Sequence, residues 1–149
     1  MKRVCSLLLV ALLTLALVGC GGGKAKEVNV AALADELANT VQFDSELKRV
    51  SLDNYLTVPE GAEAAAYMST GTTAEEIIVV RCADDGEAKT MKAGIESFLA
   101  DQRAEMERYQ PEEVARMEKA VLAQKGSYVV LCVTSDTDKA ESIIKEHLG

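Results

Sequence analysis

Two cysteines at matching places in the chain are the first residues whose chemistry depends on the fold. Cys82 lies in the β-branched segment 76–83, and Cys132 lies in the similar segment 127–134. If the two segments are neighbouring strands, the thiols could form a disulfide, provided that the protein works outside the reducing cytoplasm. The other interpretation is two buried thiols that act as small core side chains. Neither residue belongs to a CxxC motif, so no catalytic thiol is expected.

Acid–base and metal chemistry have few candidate residues. His147 is the only histidine, and we expect it to sit favourably near a helix C-terminus. Asp84-Asp85-Gly86-Glu87 lacks the alternating acids of a calcium loop and is better explained as a strand-to-helix turn with a cap. The glutamates between 105 and 118 alternate with basic residues, as on a solvated face. With no nucleotide-binding or hydrolase motif and no metal-ligand spacing, we expect no enzyme, no cofactor and no metal.

Three tyrosines are candidates for a binding surface. Tyr67, Tyr109 and Tyr128 each combine an apolar ring with a polar tip, which suits the rim of a crevice or an interface. The alternative is that they are ordinary residues at the edge of the core.

The hydrophobic pattern predicts the elements that position these residues. Asn29 is expected to cap a first helix, whose apolar residues recur every three or four positions. Residues 43–58 are irregular and could hold a short helix. Asp138 and Glu141 could form a capping box for the last helix. The other expected elements are a weak strand 64–69, a strand 76–83, a helix 87–108, a short helix starting at Pro111, strands 119–124 and 127–134 joined by a turn at Lys125-Gly126, and a C-terminal helix burying Ala140, Ile143, Ile144 and Leu148.

The order of these elements predicts an α+β fold. Residues 62–108 and 118–149 each read as strand–turn–strand–helix, so the order is ββαββα, either as a true repeat or as two uses of a common motif. We expect a two-layer sandwich in which a mostly antiparallel four-stranded sheet carries the helices on one face. The N-terminal helix precedes this unit and covers an edge or packs beside the other helices.

The N-terminus predicts where the protein works. Lys2 and Arg3 precede an apolar run that ends in Leu17-Val18-Gly19-Cys20, and glycines follow. The run is shorter than a membrane-spanning helix and has the layout of a secretory signal peptide. Leu-Val-Gly-Cys resembles a bacterial lipobox, which implies cleavage before Cys20 and a diacylglycerol on its sulfur. The predicted divisions are a signal peptide at 1–19, a lipidated cysteine and linker at 20–27, and one α+β domain at 28–149.

The charge of the chain excludes one class of partner. The formal net charge is −8, and removal of the signal peptide would take away two basic residues and no acid. A protein this acidic is not expected to bind nucleic acid. It should be weakly repelled by anionic headgroups, so the lipid on Cys20 is the expected attachment to the extracytoplasmic face of the cell membrane.

Three segments resemble those of an uncharacterised family of small Gram-positive bacterial lipoproteins that share a domain of unknown function. They are residues 67–77, 109–114 and 126–130, with Gln110 where that pattern has Asn. The resemblance covers essentially the whole chain and implies location and fold, but no mechanism and no site residues. We therefore expect a lipid-anchored, non-catalytic module that binds another protein or an envelope component. The alternative is a small-molecule-binding lipoprotein associated with a transporter.

Overall fold

The computed structural model describes residues 27–71 and 73–149. The predicted signal peptide, Cys20 and nearly all of the predicted linker therefore lie outside the described residues. The helices and strands in chain order are α1 (Val30–Thr40), β1 (Leu47–Val50), a 3-10 turn (Leu52–Asn54), β2 (Glu63–Ser69), β3 (Glu76–Arg81), α2 (Asp85–Tyr109), α3 (Pro111–Met117), β4 (Val121–Lys125), β5 (Tyr128–Val133) and α4 (Thr137–Leu148).

The strands form one antiparallel sheet in the order β1-β2-β3-β5-β4. The predicted α+β class, the antiparallel sheet and the preceding N-terminal helix are confirmed. The sheet has five strands instead of four, because β1 forms in the segment where a short helix was considered. Its four residues include Lys48 and Arg49, and β2 supplies the pairing that makes this short segment a strand.

The prediction that the helices lie on one face is corrected by the packing of the two central strands. In β3, Ile77 and Val79 belong to the core beneath α1 and α4, whereas Ile78 and Val80 belong to the core beneath α2. Every residue of β5 is buried. Strands that are apolar on both faces need cover on both, so the molecule has helices on either side of the sheet. We call these sides the α1/α4 face and the α2/α3 face.

Local capping chemistry begins two of the helices as predicted. The Oδ1 atom of Asn29 accepts the N–H of Ala32 at 2.8 Å and caps α1. Asp84 caps α2 by accepting the N–H of Glu87 at 2.8 Å. The predicted capping box of α4 is wrong: the helix begins one residue before Asp138, after Asp136, and has no side-chain cap hydrogen bond.

The two strand–turn–strand–helix units are not copies related by rotation. A half-turn about an axis perpendicular to the sheet, between β3 and β5, would place β2–β3 on β4–β5. Such a rotation does not exchange the two faces of the sheet, so α2 and α4 would have to lie on the same face. Instead, α2 packs on the α2/α3 face and α4 packs on the α1/α4 face. The shared ββα order therefore does not extend to a superposable repeat.

Candidate functional site

The positions of Cys82 and Cys132 do not allow a disulfide bond between them. Cys132 lies opposite Ile77 in the sheet, while Cys82 follows the far end of β3 and contacts the other face. Both are buried free thiols, so the disulfide hypothesis is wrong and the core interpretation holds. Burial raises the pKa of Cys132 to about 12, and burial with the nearby charges of Glu87 and Asp84 raises that of Cys82. Both sulfurs are therefore held as neutral thiols.

The three tyrosines do not line one crevice. Tyr67 packs against the core of the α1/α4 face, and its hydroxyl donates to Asp35 Oδ1 at 2.6 Å, which raises the pKa of the phenol. Tyr128 is buried on the same face, where its hydroxyl accepts the N–H of Val28 at 3.0 Å. Tyr109 is exposed at the end of α2. Two of the three therefore fix the position of α1 and its entry segment.

Glu87 and His147, which were considered for metal or acid–base chemistry, have structural contacts instead. The carboxylate of Glu87 accepts the N–H of Ala83 at 2.7 Å, one residue before the cap residue Asp84, at the start of α2. The ring of His147 contacts Glu36 Oε2 at 2.8 Å and joins α4 to α1. Within the described part of the chain, no three His, Cys, Asp or Glu side chains are arranged to hold a metal ion.

A cluster of ion pairs around the largely buried Arg116 lies where the β2–β3 turn meets α3. We call Asp44, Glu75, Glu113 and Arg116 the Arg116 cluster. Arg116 Nη1 lies 3.2 Å from Glu75 Oε1 and 3.1 Å from Glu113 Oε2, and Nη2 contacts Asp44. The side chain of Glu75 is fully buried and that of Arg116 is 13 % exposed. One guanidinium thus serves three carboxylates from three separate parts of the chain.

Hydrogen bonds complete the environment of Glu75. Its carboxylate accepts the N–H groups of Asp44 and Ser45, each at 2.9 Å, and the hydroxyl of Thr73 at 2.9 Å. Glu113 accepts the N–H of Ala74 at 2.9 Å. The cluster therefore joins segments 67–77 and 109–114, two of the three that carry the family resemblance.

The adjacent Glu76 has a different environment on the α2/α3 face. It is 1 % exposed, and burial raises its pKa to about 7. Its Oε2 atom lies 3.4 Å from Gln102 Nε2, while its Oε1 atom and the Oε1 atom of Gln102 have no hydrogen-bond partner. A carboxyl group so poorly compensated is close to half-protonated at neutral pH.

A first groove runs along the outer strand of the sheet. Among the described residues no further strand pairs with β4, and its residues are half-buried except for the exposed Lys125. The β4 groove, of about 340 Å3, lies between β4 and α4. Its apolar wall is formed by Val121, Ala123, Ile144 and Leu148, and its charged rim by Lys125, Glu141 and Lys145.

A second groove lies between α2 and the loop that follows the 3-10 turn. This Tyr55 groove, of about 480 Å3, contains the two rings of Tyr55 and Phe98, whose centroids are 6.5 Å apart in an edge-to-face arrangement at 69°. Tyr55 is 46 % exposed. The lining residues are Tyr55, Leu56, Thr57, Pro59, Thr90, Met91, Gly94, Ser97, Phe98 and Asp101.

The pattern of the sequence does not reveal the Arg116 cluster, the environment of Glu76, the β4 groove or the Tyr55 groove. Tyr55 falls in the irregular segment 43–58, where nothing in the pattern distinguishes it from the other apolar residues. Glu75 and Glu76 carried a usable signal, since neighbouring residues at the start of a strand point to opposite faces and neither face of β3 is polar. That signal predicts two buried carboxylates, but not which one has partners.

The fold and these surfaces describe a small acidic α+β domain with helices on both faces of an antiparallel sheet. The chain belongs to the family described as DUF4358, a domain of unknown function, whose model matches residues 32–134. No curated protein and no solved structure matches the chain. Over the residues that the structure describes, no helix is both long and apolar enough to cross a membrane.

Proposed function

We propose that this protein is a non-catalytic binding module, held by a lipid on Cys20 at the extracytoplasmic face of the cell membrane, that binds another protein of the envelope. The tether is supported by the charged start, apolar run and lipobox-like Leu-Val-Gly-Cys of the N-terminus. The binding role is supported by one observation, the open outer edge of β4 with an apolar groove beside it.

The two edge strands of the sheet differ in a way that favours this role. The outer strand β1 has four residues, of which the middle two are the exposed Lys48 and Arg49. Charged side chains on a short edge strand discourage pairing with another chain. Strand β4 has no charged residue before Lys125, and its side chains are half-buried. One edge is thus protected by charge, and the other is left available.

The occupant that best fits the β4 edge is an extended segment of a partner protein. An edge strand presents unpaired backbone N–H and C=O groups at alternate residues, and only another extended polypeptide satisfies them in register. Alternate side chains of such a segment would enter the groove against Ala123 and Ile144. Backbone pairing would then give affinity, and the groove would give selectivity.

A photocrosslinking pair tests this assignment. Full-length protein, expressed in its own cells, carries a photoreactive residue at Glu141, on the rim of the groove, or at the neighbouring exposed Ser142, which does not line it. We expect one dominant envelope partner to be captured from position 141, and its crosslink to map to a contiguous peptide. Ala123→Lys, which places a charge on the edge, should remove that capture. Equal capture from 141 and 142, or capture that survives Ala123→Lys, contradicts the proposal.

The second candidate function is a small-molecule-binding lipoprotein associated with a transporter. The observation that favours it is the Tyr55 groove, because about 480 Å3 lies within the ~300–1,000 Å3 of small-molecule sites. Thermal stabilisation of the full-length protein by a metabolite library would support it. Loss of that stabilisation in Gly94→Leu would assign the ligand to this groove.

A further inference from the structure

We propose that the Tyr55 groove binds a small, soluble organic ammonium compound, such as a quaternary or protonated alkylamine. The proposal does not depend on the β4 groove, which lies beside α4 and shares no lining residue with the Tyr55 groove. It rests on three observations: an exposed aromatic pair, an unfilled space above a helix glycine, and the sign of the charge in the groove.

The aromatic pair supplies the surface that attracts a cation. Tyr55 and Phe98 pack edge to face, and about half of Tyr55 remains exposed. Aromatic faces carry a negative partial charge, and a cation within about 6 Å of a ring centroid is attracted to them. An alkylammonium group also has methyl or methylene groups that can contact Met91 and Pro59, which line the same groove.

Gly94 leaves room for a ligand at the floor of the groove. It lies in the interior of α2, where glycine is less favourable than alanine. A Cβ atom added at Gly94 would meet nothing within 4 Å, so no neighbouring element of the described chain requires a glycine there. The helix thus has a less stable residue where a larger one would fill the groove, which is consistent with space kept for a ligand.

The charge of the groove selects a cation. Asp101 is the single charged side chain among the residues that line it, and no Lys or Arg is among them. The nearby Lys92 is paired with Glu96 at 2.9 Å. Asp53 and Glu60, which flank the Tyr55 segment in the chain, are both acidic and exposed. A carboxylate, aromatic rings and a negative surround together favour a cationic ligand over a neutral or anionic one.

A matched pair of probes tests the charge requirement. Choline and its neutral carbon isostere 3,3-dimethyl-1-butanol have the same shape near the head group and differ in charge. Titrations into full-length protein in a maltoside detergent, followed by NMR, give the two affinities. We expect choline to bind about two- to fivefold more tightly than the isostere, the range that corresponds to ~0.5–1 kcal/mol. Equal affinities, or no binding of choline, would overturn the proposal.

Variants then test the location. Tyr55→Leu and Asp101→Asn should each weaken choline binding several-fold, and Gly94→Leu should abolish it while leaving the helix intact, because leucine is the better helix former. The controls are Tyr109→Leu, the other exposed tyrosine, and Glu105→Gln, one turn beyond Asp101 on α2. If the control variants weaken binding as much as the groove variants do, the ammonium ion is held by general surface charge, and the site is wrong.

Discussion

Glu75 and Glu76 are consecutive in the chain and equally inaccessible to solvent. They differ in how many polar contacts the protein gives to each carboxylate. Glu75 contacts Arg116 and accepts hydrogen bonds from two backbone N–H groups and a hydroxyl. Glu76 has one weak contact, from Gln102, and one oxygen with no partner. Protein contacts therefore replace the hydration that the Glu75 carboxylate loses on folding, whereas the Glu76 carboxylate receives little replacement.

The surroundings of a buried carboxyl group decide whether it stays charged. A buried charge is tolerated when hydrogen bonds and an opposite charge replace its hydration, and otherwise the group takes up a proton. Glu75 accepts hydrogen bonds from the 44–45 segment and contacts Arg116 of α3, so it holds these two parts of the chain together. Glu76 instead changes its protonation near neutral pH. Four substitutions test this contrast between the two glutamates.

The largest effect is expected from Arg116→Met. This change leaves Glu75 and Glu113 buried without their shared cation, and removing one partner of a buried ion pair costs about 3–5 kcal/mol. Urea denaturation of the full-length protein measures the free energy of unfolding. The matched control is Arg49→Met, which breaks the half-exposed contact with Asp35 and should cost at most about 1 kcal/mol. Similar losses for the two variants would show that the Arg116 cluster is not a buried network.

Glu76→Gln should have the opposite sign and depend on pH. The pKa of Glu76 rises from 4.5 to about 7 on folding, so the folded state binds the proton more tightly. The contribution of Glu76 to stability is therefore fully present below pH 4.5 and is lost as the pH rises through 7, by about 3 kcal/mol in total. Glutamine cannot ionise, so the variant should be more stable than wild type at pH 8 and close to it at pH 4.5. Unfolding free energies at the two pH values give the comparison, and a variant less stable at pH 8 would contradict it.

Glu75→Gln makes the same chemical change at the neighbouring position and should destabilise. The amide loses the charge that pairs with Arg116, and its NH2 group has no acceptor where the carboxylate accepted the N–H groups of Asp44 and Ser45. An unmade buried hydrogen bond costs about 1–3 kcal/mol. The same denaturation series checks this value at pH 8. If both glutamine variants change stability with the same sign, the contrast between the two glutamates is wrong.

Much of the fold could be predicted because its signals are local. Asn29 and Asp84 cap helices through bonds to residues three positions away, and Gly126 takes the positive φ that the β4–β5 turn needs. Two features of the sheet were not predicted. Strand β1 is too short and too charged to be recognised without its partner β2. The helices on both faces of the sheet did have a signal in the sequence. Unbroken apolar runs such as Ile77 to Val80 indicate a strand that is buried on both faces rather than one.

The candidate sites could not be predicted for a related reason. Glu75 is hydrogen-bonded to Asp44, 31 residues away in the chain, and Glu76 is hydrogen-bonded to Gln102, 26 residues away. These partners are brought together by the sheet and by the path of α2, not by spacing in the chain. The disulfide hypothesis failed in the same way, because Cys82 and Cys132 match in sequence pattern but differ in the face they contact.

The smallest effect, and the most direct probe of Glu76, is expected from Gln102→Leu. The contact from Gln102 is weak, at 3.4 Å, and the same substitution removes a buried amide oxygen that has no partner, so the net change in stability should be under about 1 kcal/mol. The titration of Glu76 should respond more clearly. Burial raises its pKa and the hydrogen bond from Gln102 lowers it, so losing that bond should move the midpoint above 7. A carboxyl-carbon NMR titration, assigned with Glu76→Gln, measures it, and a midpoint that stays or falls would mean that Gln102 does not solvate the carboxylate.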